Sequence, residues 1–268
     1  MPSLFRSIWM WVSTITLIMI WVPLLALIRI FDRNPVRFRT GRWFRRLGSS
    51  IVRINPAWRV HLEGLDRVDL SRAYLVASNH QSMVDIPLLC LLPWEMKWIA
   101  KTELFKIPLV GWMMQMAGDI PLDRRQRAGA QALLRAKGYL QKGCSVMVFP
   151  EGTRSRDSKV HGFTEGAFAL AIKAGVPVLP IAIEGSRDCL PKGGWRFGDP
   201  KDIHIRVLDA IDTSGLGSKD AVLLRDRVRS SIIDQVAVIR GASVNEVDAA
   251  LPATRDASHT GETDRALG

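Results

Sequence analysis

Short, almost continuous apolar runs recur through the middle of the chain, and segments with helical spacing separate them. Such runs, bounded by glycine, proline or polar residues, predict buried strands. The predicted strands are Trp58–Leu62, Ala73–Ser78, Lys97–Ala100, Ser145–Phe149, Val176–Ile183 and Ile203–Leu208. The predicted helices are Ile86–Leu92, Arg125–Gln141, Glu165–Lys173 and Lys219–Arg240. Strands that alternate with helices indicate an α/β fold, with a single mostly parallel sheet flanked by helices.

Two of these helices have recognisable apolar faces. In the helix 125–141, the spacing places Leu133, Leu134 and Leu140 toward the core. In the helix 219–240, apolar residues recur at helical spacing and predict a long buried stripe.

The N-terminal apolar run is of another kind. From Ser7 to Ile28 the chain carries no charge, and Ser and Thr are its only polar residues. At 1.5 Å per residue this segment reaches about 33 Å, enough to cross a hydrocarbon core. A core helix would show a polar face, and a signal peptide would have a shorter apolar run and a cleavage site. We therefore expect a membrane anchor, either one span or a helical hairpin that reverses at Pro23.

Positive charge comes directly after this apolar run. The chain has a net charge of +11, and nine arginines lie between Arg29 and Arg59 against one acid, Asp32. This asymmetry predicts an anionic membrane surface as a partner, with the rest of the chain on the cytoplasmic side of the inner membrane. Nucleic acid is not expected, because no stacking motif, helix-turn-helix signal or zinc spacing accompanies the charge.

These patterns divide the chain into three parts. Residues 1–56 are the expected membrane anchor with its basic segment, 57–250 the expected catalytic domain, and 251–268 an expected disordered tail that is polar and aperiodic from Pro252. The cysteines, Cys90, Cys144 and Cys189, form no CxxC pair. Cys90 and Cys144 lie in apolar contexts and are expected to be buried thiols, which agrees with a reducing compartment.

Asn-His-Gln-Ser-Met-Val-Asp (79–85) comes after the second predicted strand. On one continuous helix, five residues would leave His80 and Asp85 about 140° apart. The two side chains can meet only if His80 lies in the strand-to-helix turn and Asp85 near the start of the helix. A carboxylate on one imidazole nitrogen would then make the other a general base. The alternatives are a helix-capping Asp85 and a hydrogen-bonded turn histidine. No protein nucleophile accompanies the pair, so a substrate hydroxyl is the expected attacking group, and no metal or cofactor is expected.

Phe-Pro-Glu-Gly-Thr-Arg-Ser (149–155) leaves another predicted strand. Gly152 allows close backbone approach, Thr153 and Ser155 carry hydroxyls, and Arg154 can bind a phosphate with two hydrogen bonds. Ligands collect at the carboxyl ends of strands in open α/β sheets, so both motifs are expected to face one cleft. Two further cations after predicted short strands would suit a phosphomonoester dianion, and these are Lys101 and Arg124. The alternatives are an ordinary polar turn and solvated charges.

Five segments that occur in order carry a resemblance to a known family. They are Asn79-His80-x-x-x-x-Asp85, Ala100–Leu104 continuing through Pro108 and Gly111-Trp112, Gly118–Arg124, Phe149–Ser155, and Val176–Pro180. Over about residues 60–190 the chain resembles the glycerophospholipid acyltransferases, and most closely the bacterial 1-acylglycerol-3-phosphate acyltransferases.

The resemblance implies transfer of a fatty acyl group, from acyl-CoA or acyl carrier protein as co-substrate, to the sn-2 hydroxyl of lysophosphatidate. It makes His80 the base and Asp85 its orienting partner. Acceptor binding is implied for Glu151, Gly152, Thr153, Arg154, Lys101 and Arg124, and supporting roles for Asn79, Ser155 and Pro180. Thr164 replaces a lysine that many relatives carry, and Pro121 a larger apolar residue, which leaves open the acceptor head group.

Two other functions stay open. One is acyl transfer to another acceptor, such as glycerol 3-phosphate, a lysophospholipid or a lyso-aminolipid. The other is a non-catalytic module that binds anionic lipid through the arginines. The run Phe105–Met116 is expected either to pack in the core or to line an acyl channel.

Overall fold

A computed structural model describes residues 3–55, 57–123, 126–191, 193–199 and 201–249. Within these ranges seven strands form one sheet in the order β1-β7-β6-β2-β5-β3-β4. The strands are β1 Trp58–Glu63, β2 Leu75–Ser78, β3 Met96–Lys101, β4 Ile120–Leu122, β5 Ser145–Val148, β6 Val178–Glu184 and β7 Lys201–Val207. Every pairing is parallel except that of β6 with β7, so the predicted mostly parallel sheet is confirmed.

Helices cover both faces of this sheet. They are α1 Ser3–Phe31, α2 Phe38–Arg53, α3 Asp85–Leu89, α4 Val110–Ala117, α5 Gln126–Gln141, α6 Gly166–Ala174, α7 Ala221–Arg240 and α8 Val244–Val247. The strands β2 and β5 are buried on both faces, and their side chains divide between two hydrophobic cores. Leu75 and Val146 belong to the core beneath α5, α6 and α7, whereas Val76 and Met147 belong to the core beneath α2 and α3.

The α7 stripe is confirmed, but one prediction for α5 is wrong. Leu140 of α5 is buried, whereas Leu134 is 69% exposed. The buried positions beside Leu140 are Ala132 and Ala136, one turn apart, which turns the helix so that Leu134 faces outward. These small side chains let α5 approach the sheet closely. The prediction was wrong because it took the largest apolar residues of the helix as the buried ones.

The apolar segment forms one helix, α1, with Pro23 inside it, and the chain does not reverse there. Among the described residues, Leu4–Phe31 is the one helix long and apolar enough to cross a membrane, and most of its surface is exposed. Near its start the Ser7 hydroxyl accepts a 2.9 Å bond from the Phe197 backbone N–H. Farther along, Trp21 Nε1 donates to the Trp43 carbonyl of α2 at 2.9 Å. Both halves of α1 therefore contact the body of the protein.

The basic segment is not a linker, because most of it is the helix α2, which was not predicted. Some arginines of the segment, such as Arg39, Arg42 and Arg46, are not buried, but Arg45 is. Arg59 lies on β1 and pairs with Asp202. The tail from Pro252 lies outside the described residues.

The run 105–116 divides between core and surface. Phe105, Met113 and Met114 are buried, whereas Ile107 and Trp112 are 45% and 55% exposed. The core-packing alternative therefore accounts for the first three residues, and the other two add to the exposed apolar surface.

Candidate active site

The two motifs meet at the carboxyl edge of the sheet. The neighbouring parallel strands β2, β5 and β3 end there at Ser78, Val148 and Lys101. The Asn79 amide continues the ladder beyond β2, because its Oδ1 accepts from the Ile183 N–H and its Nδ2 donates to the Ile183 carbonyl, both at 2.9 Å. This bidentate contact with β6 places the next residue, His80, over the middle of the edge.

His80 lies in the turn between β2 and α3, and Asp85 is the first residue of α3, which is the only arrangement that the spacing allowed. His80 Nδ1 and Asp85 Oδ2 are 2.8 Å apart. The same oxygen accepts the backbone N–H groups of Gln81 and Ser82 at 2.7 and 2.8 Å. The carboxylate therefore holds the turn in shape and the imidazole in one tautomer, with Nε2 directed away from it. The helix-capping alternative for Asp85 is wrong, because the N-cap of α3 is Val84, without a side-chain cap, and the carboxylate bonds the turn before the helix.

Sequence reasoning missed a third member of this cluster, Ser186. Its hydroxyl donates to the other oxygen of Asp85, Oδ1. Ser186 comes just after β6, which runs parallel to β2, so it stands at the same edge of the sheet. The strand-end rule that located His80 could have found it. Pro180 lies earlier on β6 opposite Ala77 and is part of the sheet.

The 149–155 loop encloses the backbone of His80. Glu151 Oε1 accepts the His80 N–H at 2.7 Å, and the Ser155 N–H donates to the His80 carbonyl at 2.8 Å. Glu151 Oε2 accepts the His161 N–H at 3.1 Å. Both carboxylate oxygens of Glu151 are thus occupied by backbone groups. Burial raises the pKa of Glu151 to about 7, although the two N–H groups favour the carboxylate.

The ring of Phe149 stacks on the ring of His80, with centroids 3.9 Å apart and planes inclined by 15°. Sequence reasoning gave Phe149 no role beyond ending a strand. Because an imidazole held by one hydrogen bond can still swing about that bond, this parallel contact supplies the second restraint on the direction of Nε2.

The predicted phosphate-binding side chains are less constrained. Gly152 has a left-handed φ of 68°, which the tight turn requires. Thr153 is exposed and Arg154 half-buried. Within the described residues, neither the Arg154 guanidinium nor the exposed Lys101 ammonium has a hydrogen-bonding or ion-pair partner. Arg124 lies outside the described residues.

Side chains that could otherwise act as nucleophiles are buried. Ser82 is 1% exposed. Cys90, Cys144 and Cys189 are buried, and burial raises the pKa of each thiol to about 12. Among the described residues, no group of three or more His, Cys, Asp or Glu side chains could hold a metal ion.

Comparison with known proteins shows the family. The Acyltransferase family model matches residues 59–184, which contain both motifs. Human 1-acyl-sn-glycerol-3-phosphate acyltransferase alpha is 36% identical over 218 residues, which are 80% of this chain and 76% of that protein. The Pseudomonas aeruginosa 1-acyl-sn-glycerol-3-phosphate acyltransferase is 30% identical over 209 residues, 77% of this chain and 80% of that protein. This chain belongs to the acyltransferase family.

A solved acyltransferase structure has the same fold as this chain. The 1-acyl-sn-glycerophosphate acyltransferase PlsC from Thermotoga maritima superposes with a TM-score of 0.76 at 27% identity, covering 90% of this chain and 97% of that one. Other relatives are longer: the chain spans 64% of the chloroplastic BAT2 acyltransferase of Brassica napus, which is 36% identical over 230 residues, or 85% of this chain. The family resemblance that the motifs indicated is confirmed.

Proposed function

We propose that this protein is an O-acyltransferase that transfers a fatty acyl group from a thioester donor to the sn-2 hydroxyl of 1-acylglycerol 3-phosphate, giving phosphatidate. Acyl-CoA and acyl carrier protein are the two proposed donors. The observation that carries the proposal is the His80–Asp85 pair, at 2.8 Å, on the same sheet edge as Lys101 and Arg154. A base beside unpaired cations suits a substrate that carries both a hydroxyl and a phosphate.

The reaction is one addition and one elimination in this geometry. His80 Nε2 takes the hydroxyl proton as the substrate oxygen attacks the thioester carbonyl, and the Asp85 carboxylate stabilises the imidazolium. The tetrahedral intermediate then expels the thiolate as the carbon–sulfur bond breaks, and the imidazolium returns the proton to sulfur. No acyl-enzyme is required, and the burial of Ser82 and the cysteines agrees with direct transfer.

The acceptor phosphate is assigned to the cations on the β3 and β5 side. Arg154 offers two parallel donors and Lys101 a point charge, which together balance a phosphomonoester dianion. The carboxylate of Glu151 would repel a phosphate, so its proposed part in acceptor binding is indirect: it holds the loop that carries Arg154 against His80.

Membrane association is proposed through α1 and α2. Both halves of α1 contact the body of the protein, at Phe197 and at Trp43, which favours a helix that lies along the domain over one that leads away from it. The exposed arginines Arg39 and Arg42 of α2 would face anionic head groups. An inner-membrane location with the domain on the cytoplasmic side is part of this proposal.

The test is a panel of acceptors with one radiolabelled acyl chain, supplied as acyl-CoA or as acyl carrier protein thioester. Lysophosphatidate should be the preferred acceptor over glycerol 3-phosphate, lysophospholipids and lyso-aminolipids. His80→Ala should lower turnover by about 10²–10⁴-fold while the protein stays folded and membrane-bound. The matched control is His61→Ala, which removes the imidazole of an exposed His–Asp pair between β1 and β7. Turnover of His80→Ala at the wild-type rate would exclude His80 as the base.

A further inference from the structure

Helix α2 docks on α3 and β3 through one narrow face. Gly41, Arg45 and Gly48 share this face at helical spacing. A Cβ at Gly41 would lie 1.9 Å from Glu95 Oε1, and one at Gly48 would lie 2.6 Å from Cys90 Sγ. A side chain at either position would have to displace these groups, so the two glycines let α2 approach closely enough to bring Arg45 into the interior. The most basic helix of the chain therefore inserts one of its arginines into the catalytic domain.

The interior beneath this face contains a buried, charge-balanced cluster. The Arg45 guanidinium pairs with Asp119, and the side chains are 8% and 1% exposed. Beside them Lys97 Nζ contacts Glu95 Oε1 at 2.7 Å, with both side chains fully buried. Two cations and two acids make the cluster neutral, which is the condition for burying so many ionisable groups.

The cluster holds Trp98 at two points. Asp119 Oδ1, the oxygen that pairs with Arg45, also accepts the Trp98 backbone N–H at 3.0 Å. The Arg45 guanidinium carbon lies 5.2 Å from the centroid of the Trp98 ring. The indole N–H of Trp98 is buried and has no hydrogen-bonding partner among the described residues. Within the described contacts, the guanidinium is thus the polar group that directs the indole ring.

From Trp98 the contacts continue to the base. The Trp98 ring meets the Phe149 ring edge-on, with centroids 6.0 Å apart and planes inclined by 62°. Phe149 in turn stacks on His80 at 3.9 Å. Asp85 fixes one nitrogen of His80, but the plane of the imidazole depends on Phe149. Three consecutive contacts therefore join Arg45 of α2 to the ring plane of His80.

We propose that Arg45 is a positioning residue for acyl transfer, acting through Trp98 and Phe149 to fix the direction of His80 Nε2. Arg45 does not touch substrate in this proposal. Through Arg45, the position of α2 on the domain affects the orientation of the His80 imidazole. The same helix carries the arginines that are proposed to face the membrane. The kinetic part of the test depends on the proposed function, whereas the spectroscopic part does not.

The first experiment compares two neighbouring arginines, both changed with retention of charge. Arg45→Lys keeps the cluster neutral but removes the planar guanidinium over Trp98. Arg46→Lys is the matched control, since Arg46 is exposed and lies over Trp43 instead. Arg45→Lys should lower kcat about three- to tenfold with KM for the acceptor unchanged, the size expected for weakening one buried cation–ring contact. Arg46→Lys should leave kcat unchanged.

The pH profile separates positioning from simple destabilisation. The charged groups nearest the His80 side chain and backbone are Asp85 and Glu151, and the titratable groups nearest Arg45 are Asp119, Glu95 and the Cys90 thiol. None of these is altered in Arg45→Lys. If the His80 ring is less firmly oriented, Asp85 stabilises its protonated form less well. The acidic limb of the kcat profile should therefore move to lower pH. If Arg45→Lys lowers the melting temperature but keeps the wild-type kcat and profile, the residue is only structural and the proposal is overturned.

The contact path through Trp98 and Phe149 is tested in a protein that also carries Phe149→Leu. In Phe149→Leu the ring that stacks on His80 is absent, so adding Arg45→Lys should change kcat by less than about twofold. An undiminished effect of Arg45→Lys in that background overturns the route. Trp98→Leu, which leaves the ionic cluster intact, covers the case in which Arg45→Lys fails to fold. It should reproduce the loss of kcat and the shift of the profile, and wild-type behaviour would overturn the proposal.

A readout without turnover keeps the two proposals distinguishable. The imidazole of His80 is titrated by NMR in histidine-labelled protein in detergent, with His80→Gln to assign its signal. Arg45→Lys should displace the His80 titration relative to wild type, and Arg46→Lys should not. If no acceptor in the panel is acylated but this displacement is seen, the proposed function fails and the positioning role stands. If an acceptor in the panel is acylated but Arg45→Lys does not displace the His80 titration, the proposed function stands and only the positioning role fails.

Discussion

Two parts of the carboxyl edge of the sheet differ in how many of their hydrogen-bonding groups have partners within the protein. The base side is the surroundings of His80, and the cation side consists of Arg154 and Lys101. On the base side, His80 is held at its backbone N–H, its carbonyl, its Nδ1 and its ring face. On the cation side, Arg154 and Lys101 have no hydrogen-bonding or ion-pair partner in the described parts of the chain.

This difference matches two different tasks. A general base must be oriented before the substrate arrives, because reorganisation during the reaction would raise the barrier. A cation that binds a phosphate must keep its donors available, because a partner within the protein would compete with the substrate. The contrast predicts that changes on the base side lower kcat, whereas changes on the cation side raise KM.

The largest effect is expected for Asp85→Asn. It removes the charge that stabilises the imidazolium and one acceptor of the turn, so kcat should fall by about 10²–10⁴-fold, the range for loss of acid–base catalysis. Steady-state kinetics with lysophosphatidate measure this change. The matched control is Asp202→Asn, which alters an exposed aspartate bonded to His61 and Arg59 and should keep the wild-type kcat. A kcat for Asp85→Asn within about threefold of wild type, far above the range for lost acid–base catalysis, contradicts the role of Asp85.

Glu151 should make folding stability depend on pH. Its pKa is raised from 4.5 to about 7 in the folded protein, so between these values the folded state keeps a proton that the unfolded state loses. Stability should therefore fall as pH rises through this window, by about 1.4 kcal/mol per pKa unit, or ~3 kcal/mol in all. Denaturant unfolding across this window measures it, with Glu151→Gln as the reference. A constant difference between the two proteins over this window contradicts the prediction.

Arg154→Met tests the cation side. Loss of a charged hydrogen-bonding group is worth about 1.5–3 kcal/mol, so KM for lysophosphatidate should rise about 10–100-fold with kcat nearly unchanged. Monoacylglycerol, which has no phosphate, should be used equally poorly by wild type and variant. Arg72→Met, at an exposed arginine before β2, is the control. A fall in kcat with unchanged KM would break the distinction between the two sides.

The smallest effect is expected for Ser186→Ala. It removes the hydroxyl donor from Asp85 Oδ1 but leaves the three donors on Oδ2. A loss of about 1 kcal/mol, or several-fold in kcat, should result, with KM unchanged. Ser71→Ala removes a hydroxyl from the exposed Asp69 and provides the control. If KM rises instead, Ser186 belongs to substrate binding and not to the base side.

Much of the fold was readable from local patterns. The predicted strands are all present with small shifts of their ends, because apolar runs between turn residues have few alternatives to a buried parallel sheet. The short strand expected before Arg124 was given no bounds, since the three residues of β4 make too short a pattern. Helix α2 was not predicted, since Gly41 and Gly48 disfavour a helix, and this one is stabilised by packing against α1, α3, α4 and β3.

The site was readable in its motifs but not in all its roles. The His80–Asp85 contact could be inferred from spacing and a strand end. The backbone bonds of Glu151 could not, because they depend on how two segments 71 residues apart approach each other. Counting arginines likewise predicted a basic segment beside an anionic membrane surface without telling one arginine from another, and only the docking of α2 distinguishes the buried Arg45 from its neighbour Arg46.

The sequence by itself determined the sheet, the apolar N-terminal helix and the placement of His80, Asp85 and nearby cations at strand ends, because these depend on spacing and on strand ends that are local to the chain. The tertiary structure alone decided which groups are paired and which are left without partners. It placed Ser186 behind Asp85, Glu151 on the His80 backbone and Phe149 against the imidazole. Such contacts join residues far apart in the chain, and their geometry is set by packing and not by spacing.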